Sequence, residues 1–204
     1  MGTVEKYVSW ALKIAADNTH GYSQAVRWAP DYDCSSFVIS ALEAAGLPMK
    51  AYGASYTGNM GQALKACGFT KVKGVNLSTG AGLLRGDILL NPATHTEIYI
   101  GNNQAVGAHA SETGGKYGKA GDQTGNEISV QTYRNKNYSE VWRYGGKDKA
   151  FTPAAGKWDN IAREVIRGKY GNGAARIAAL SRIGYTDAEI NEIQQTVNYL
   201  MKGG

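Results

Sequence analysis

Asp33-Cys34-Ser35-Ser36-Phe37-Val38-Ile39-Ser40-Ala41-Leu42-Glu43-Ala44-Ala45-Gly46-Leu47-Pro48 is the stretch on which the fold turns. Phe37, Val38, Ala41, Leu42 and Ala45 recur at helical spacing, so one apolar face runs along a helix from Cys34 to Ala45. Asp33 is a good N-cap, and Gly46 and Pro48 end the run. Cys34 therefore stands in the first helical turn, where the partial positive charge of the helix end favours thiolate over thiol. Its polar neighbours Asp33, Ser35 and Ser36 argue against a buried, inert cysteine. The other cysteine, Cys67, lies at an expected helix end without such support and reads as structural. A Cys34–Cys67 bridge stays open from the sequence and would abolish any nucleophile.

Working outward, Val4 to about Asn18 is helical by pattern. Beyond Gly86 the period changes to short strand-like runs: Asp87–Leu90, Glu97–Ile100, Gln104–His109, Ile128–Thr132 and Glu140–Tyr144. Asn91-Pro92, Gly101-Asn102-Asn103 and Gly125-Asn126 are turn signals between them. Helices first and an antiparallel sheet after predict an α+β domain. Glycine is 27 of 204 residues, nearly twice its usual share of about 7%, and much of the excess lies between Gly101 and Gly125, in a long loop.

At 21.8 kDa the chain is long for one ordinary domain and short for two, so one domain plus a small appendage is expected. Hydrophobic residues at 43% and charged residues at 19% allow a packed core. No apolar run approaches the 18 or so residues of a membrane span, and Met1 to Lys13 mixes apolar with charged residues where a signal peptide would be unbroken. A soluble protein without an export signal or membrane insertion is expected. The net charge of +5 is divided, with 14 basic against 11 acidic residues before position 148 and 8 against 6 from position 148 on. No zinc-finger spacing, basic region with heptads or RNA-binding motif accompanies it, so nucleic acid is not an expected partner; an anionic cell surface fits better. HExxH and CxxC spacings are missing, and no metal site is expected.

The small, polar run Gly145 to Gly156 reads as a linker, which divides the chain into 1–145, a linker at 146–157, and 158–204. In the tail, Trp158, Ile161, Ala162, Val165 and Ile166 form one helical face. A second helix runs from about Ala174 to Arg182, and Thr186 with Glu189 forms a capping box opening a third. A three-helix unit of about 45 residues has a marginal core.

A thiol nucleophile needs a base and a group to orient that base. His95 opens one strand and His109 ends the next, so antiparallel pairing brings both to one edge; His20 stands in a polar loop.

Tyr32-Asp33-Cys34-Ser35-Ser36-Phe37-Val38, Arg85-Gly86-Asp87-Ile88-Leu89-Leu90 and His95-Thr96-Glu97-Ile98-Tyr99-Ile100-Gly101-Asn102 together resemble the NlpC-type cysteine peptidases, and more closely their phage endolysin branch of peptidoglycan amidohydrolases. The similarity spans about residues 1 to 144. It implies a papain-like fold, with Cys34 as nucleophile, His95 as general base, and neither cofactor nor metal. Family members often carry a polar residue, commonly histidine, 12 positions after the base, but here that position is Gly107. His109, two residues on and on the same side of a regular strand, is the expected third group, with Glu112 and Gln104 in reserve. Tyr22, Asp33 and Ser35 look like stem-peptide binding residues, and Asp122 and Gln123, within Gly121-Asp122-Gln123-Thr124-Gly125, look like a groove lining.

Residues 158 to 202 resemble the three-helix cell-wall-binding repeats of some streptococcal phage lysozymes, on Ile161-Ala162-Arg163-Glu164-Val165-Ile166, Gly168-Lys169-Tyr170-Gly171-Asn172-Gly173 and Arg176. The resemblance implies muropeptide binding near Tyr170, Asn172 and Arg176. The expected function is that of an endolysin that acts on Gram-positive peptidoglycan, made in the host cytoplasm and then released to the wall. It would be either a D-glutamyl(glutaminyl)-L-diamino acid endopeptidase or an N-acetylmuramoyl-L-alanine amidase. A wall-binding protein with an inactive front domain, suggested by Gly107, is the alternative.

Overall fold

The computed structural model describes residues 2–145 and 156–201. The chain divides into two compact units, Met1–Gly146 and Lys147–Gly204. Apart from Gly156 and Lys157, the expected linker at 146–157 lies outside the described residues.

The front unit has helices α1 (Thr3–Ala15), α2 (Cys34–Ala44) and α3 (Thr57–Ala66), then strands β1 (Phe69–Lys71), β2 (Ile88–Asn91), β3 (His95–Gly101), β4 (Gln104–Ala108), β5 (Ile128–Thr132) and β6 (Glu140–Tyr144). The strands form one antiparallel sheet in the order β1-β6-β2-β3-β4-β5. Helix α2 packs on β3 and β4, and α1 packs on α2 and on the β4–β5 side. Tyr7, Val8, Phe37, Val38, Ala41 and Leu42 bury the helices against Ile88, Ile98 and Val106 of the sheet. This is the α+β arrangement that the sequence predicts.

β3 is buried on both faces, and its alternation decides where the chemistry sits. Ile98 and Ile100 point into the helix-side core. Tyr99 points the other way, into a second cluster with Leu83, Leu89, Ala105, Tyr133, Tyr138 and Val141. Because side chains alternate with period 2, His95 and Glu97 share the face of Tyr99.

Arg85-Gly86-Asp87 is structural. Asp87 is fully buried and accepts from Arg143 Nε at 2.7 Å, Arg143 Nη2 at 2.6 Å and the Leu84 amide at 2.8 Å. Burial pushes its carboxyl up, and the Arg143 guanidinium works against that. Gly86 has φ +91°, and a Cβ there would lie 2.4 Å from Val4 and 2.5 Å from the Tyr7 hydroxyl, which donates to the Gly86 carbonyl at 2.7 Å. Only glycine lets α1 close on the sheet here.

The second unit holds α4 (Asp159–Ile166), α5 (Gly173–Arg182) and α6 (Asp187–Met201) around Trp158, Ile161, Ala162, Val165, Leu180, Ile190, Ile193 and Val197. The Thr186 amide and hydroxyl both donate to Glu189 Oε2 at 2.9 Å, and the Glu189 amide lies 3.4 Å from the Thr186 hydroxyl, so the expected capping box opens α6. The Trp158 indole donates to Glu192 at 2.6 Å.

Candidate active site

Cys34 opens α2 behind a closed capping box. Asp33 Oδ1 accepts from the Ser36 amide at 2.7 Å, and the Ser36 hydroxyl receives the Asp33 amide at 2.9 Å. The thiol lies 3.9 Å from the Thr94 carbonyl oxygen and is bonded by the Thr96 amide, so it rests against the main chain on both sides of His95. Both cysteines are free, which removes the bridge that the sequence left open.

Two expectations about Cys34 need correction. It is buried, 7% exposed, because its polar neighbours satisfy one another instead of facing water. Nor does the helix end make it a thiolate. Burial first, and the Asp33 carboxylate second, push its pKa up to about 11 against the pull of the Thr96 and Ser35 amides. At neutral pH the Cys34 side chain therefore rests as a neutral thiol.

His95 Nε2 lies 3.2 Å from Glu97 Oε1, two residues along the same strand face. A carboxylate only accepts, so Nε2 carries the proton, and Nδ1 has no hydrogen-bond partner among the described residues. Sequence reasoning passed over Glu97, although the period-2 spacing from His95 was its signal. The same oxygen lies 2.6 Å from Lys136 Nζ and 3.1 Å from His109 Nδ1, while Oε2 accepts from the Tyr138 hydroxyl at 2.5 Å. Burial would raise the Glu97 carboxyl, but hydrogen bonds from His109 and His95 and the charge of Lys136 outweigh it and hold it well below the usual carboxylate range. Burial and the neighbouring Glu97 charge push the Tyr138 phenol far up, so it stays a donor.

His109 does come to the His95 side, as strand alternation predicts, with ring centroids 6.2 Å apart. It does not orient His95 directly, because Glu97 stands between them. Its Nε2 faces the Ser129 carbonyl at 3.2 Å, and its Nδ1 lies 3.3 Å from Lys136 Nζ. The reserve residues serve elsewhere: Glu112 accepts from the Lys119 amide at 3.2 Å, and the Gln104 side chain is exposed at the far end of β4. His20 bonds the Pro30 carbonyl at 2.6 Å. The ligand atoms of His95, Glu97 and His109 lie within 4.8 Å of one another, a spacing that suits a metal ion, but the Lys136 ammonium already stands at Glu97.

The expected substrate-binding residues are less open than their sequence suggests. Arg27, which the sequence reading missed, takes up both Asp33 and Ser35: its Nε lies 2.6 Å from Asp33 Oδ2, and its Nη2 donates to the Ser35 hydroxyl and the Ser55 carbonyl, each at 2.7 Å. Arg27 and Lys50 both lie over the exposed Trp28 ring, and Tyr52 and Tyr56 are exposed in the loop that Arg27 ties down. Tyr22 is buried, with its hydroxyl bonded by Gln24 at 3.1 Å. Asp122 is turned into its own loop, accepting from the amides of Thr124, Gly125, Asn126, Glu127 and Ile128 and from the Thr124 hydroxyl. Gln123 is exposed and donates to the Ala120 carbonyl at 2.8 Å. A groove of about 360 Å³ lies along α3, lined by Thr57, Gln62, Lys65, Glu140 and Trp142, with Pro92 of the turn before His95 on its wall.

In the second unit, Arg176 Nη2 donates to Asn172 Oδ1 at 3.1 Å and Nη1 to Gln194 at 2.7 Å, so two of the three expected wall-binding residues meet. Tyr170 turns instead to Glu164, 2.6 Å away.

Residues 25–106 match the family described as Endolysin-like domain, and residues 159–201 match the CW_7 repeat. The front stretch is thus similar to an endolysin-like domain and the tail to a CW_7 repeat. The endolysin-like match includes Cys34, His95 and Glu97 and ends one residue before Gly107; His109 and Lys136 lie beyond it. Among solved structures, the peptidoglycan hydrolase RipB from Mycobacterium tuberculosis is similar at 18% identity and a TM-score of 0.42, over 69% of this chain and 64% of that one. No curated protein matches the chain.

Proposed function

We propose that this protein is a peptidoglycan hydrolase that cuts an amide bond of the stem peptide through a thioester on Cys34. The observation that carries the reading is the position of the Cys34 thiol against the main chain flanking His95, whose Nε2 is held by Glu97. The endolysin-like match and the CW_7 repeat supply the substrate class.

The chemistry follows from the proton inventory. The neutral thiol passes its proton to His95 Nδ1 as sulfur attacks the scissile carbonyl, forming a C–S bond and an oxyanion. The Cys34 amide, at the start of α2, points its N–H towards developing negative charge, the term that usually dominates such catalysis. Collapse expels the amine, which takes the proton from His95, and leaves a thioester. Water attacks the thioester, again deprotonated by His95, and releases the acid and the thiol. Glu97 accompanies the imidazole through both transfers.

The bond is D-glutamyl(glutaminyl) to L-diamino acid, or N-acetylmuramoyl to L-alanine. Mass spectrometry of fragments released from purified Gram-positive peptidoglycan decides between them: a new amine on the diamino acid marks the endopeptidase, and one on L-alanine marks the amidase. Intact glycan and peptide after incubation, with the protein still bound to the wall, would instead favour the inactive wall-binding alternative.

The CW_7 repeat is assigned to wall attachment. Truncation before Gly156 is expected to weaken sedimentation with cell walls about tenfold while leaving cleavage of soluble muropeptides within about twofold, since avidity and chemistry then reside in separate parts. Unchanged sedimentation refutes the assignment.

A further inference from the structure

The buried carboxylate of Glu97 has more donors around it than a structural residue needs, and its place in the sheet explains an oddity of the sequence. Continuing the β3–β4 register, in which Ile98 faces Val106 and Tyr99 faces Ala105, puts Glu97 opposite Gly107 and His95 opposite His109. A Cβ on Gly107 would lie 2.7 Å from Glu97 Cγ and 3.4 Å from its carboxylate. Gly107 has no positive φ, so the requirement is for space and not for backbone freedom. The volume that a side chain at 107 would fill is taken by Glu97.

We propose that Glu97 is the positioning residue of the Cys34–His95 pair, that Lys136 is its counter-ion, and that Gly107 is the gap that admits its carboxylate to the base. This rests on the reading of Cys34 and His95 as nucleophile and base. Gly107 is then not a lost catalytic position; the polar partner reaches His95 from the same strand instead of the next one.

Charge decides the role of Lys136. The groups around Glu97 are His95 on β3, His109 just after β4, Gln131 on β5 (3.4 Å from Lys136 Nζ), Tyr133 just after β5, and Lys136 and Tyr138 in the β5–β6 connection; Cys34 on α2 acts on the Tyr138 phenol from across the site. Lys136 is the only permanent cation among them. With Lys136 in place, Glu97 orients the imidazole without presenting it a net negative charge. Without Lys136, the bare carboxylate stabilises the imidazolium form, and a base that is already protonated cannot accept the Cys34 proton.

The chain has only three histidines, which makes the test direct. Imidazole signals of His20, His95 and His109 are titrated by NMR in the full-length protein and in Glu97→Gln and Lys136→Met. Glu97→Gln, which is isosteric, should lower the His95 midpoint by about one pH unit, and Lys136→Met should raise it by about as much. His20, bonded to Pro30, should move in neither. On peptidoglycan, Glu97→Gln should lower kcat about a hundredfold at unchanged KM. The acid limb of the rate profile should move up in Lys136→Met. Gly107→Ala should lower kcat while the fold, read by circular dichroism, is kept. A His95 midpoint that stays with the wild type in both variants, or a wild-type kcat in Glu97→Gln, overturns the proposal. Should the wild type cut no peptidoglycan, the hydrolase reading fails by itself, while the histidine titrations still report whether Glu97 and Lys136 govern His95.

Discussion

Cys34→Ala is expected to give a folded protein that sediments with cell walls as the wild type does and clears none of them. The side chain is small and sits in the first turn of α2, where the Asp33–Ser36 capping box, not the thiol, holds the helix end. Removing the sulfur should therefore change stability by only about 1 kcal/mol. The chemical loss is of another size: without a nucleophile no thioester forms, and turbidity clearance should fall by at least about a thousandfold. Cys67→Ala serves as the control. Cys67 caps the C-terminal end of α3 and should clear walls as the wild type does when replaced. Equal clearing by Cys34→Ala and the wild type would sink the cysteine mechanism. The thiol adds a second observable, because a pKa near 11 leaves Cys34 protonated at neutral pH. Iodoacetamide should modify it more slowly at pH 7 than an ordinary free thiol, whose pKa is about 8.5.

Much of this was legible because the decisive elements are local. The apolar stripe of Phe37, Val38, Ala41 and Leu42, with Asp33 before it and Gly46 after it, writes α2 into sixteen consecutive residues, and the structure ends the helix one residue short of the expected Ala45. β5 and β6 have the expected bounds, β5 just after the Gly125-Asn126 turn signal. β1 was missed: three residues, Phe69 to Lys71, carry no period and exist as a strand through pairing with β6. The site was less legible for the same reason. Cys34 and His95 are announced by their neighbours in sequence. Lys136 reaches Glu97 from a connection 39 residues away, and Arg27 reaches Asp33 and Ser35 from an irregular loop, so neither leaves a local pattern. Burial was misjudged at Cys34 because polar residues read as exposed, whereas Asp33, Ser35 and Ser36 are buried in mutual hydrogen bonds.

Asp122 brings the second large effect, and the outcome separates two roles for one residue. Both of its oxygens are occupied inside the loop: Oδ1 accepts from Thr124, Gly125 and Asn126, and Oδ2 from the Glu127 and Ile128 amides at 2.9 and 3.2 Å. Glu127, placed by that contact, accepts the Tyr22 amide at 2.9 Å, and its carbonyl receives the His109 amide at 2.8 Å. The loop is thereby tied to both the segment around Tyr22 and the histidine side of the site. Asp122→Ala should cost about 3 kcal/mol, since several charge-assisted hydrogen bonds go at once and the freed amides recover only part of that from water. Limited proteolysis should then cut between residues 110 and 127, and kcat should fall with the displaced loop. The pH dependence has a definite sign. Burial raises the Asp122 carboxyl, but the Ile128 and Thr124 hydrogen bonds prevail and leave it lowered in the folded state. Its contribution is therefore complete above the unfolded value of about 3.9 and is lost as pH falls through the lower folded value. Acid should loosen this loop in the wild type only below roughly pH 4, and Asp122→Ala should remove that acid step. A variant with unchanged thermal stability and proteolysis but a raised KM would instead make Asp122 a substrate contact, as Gly121-Asp122-Gln123-Thr124-Gly125 first suggested.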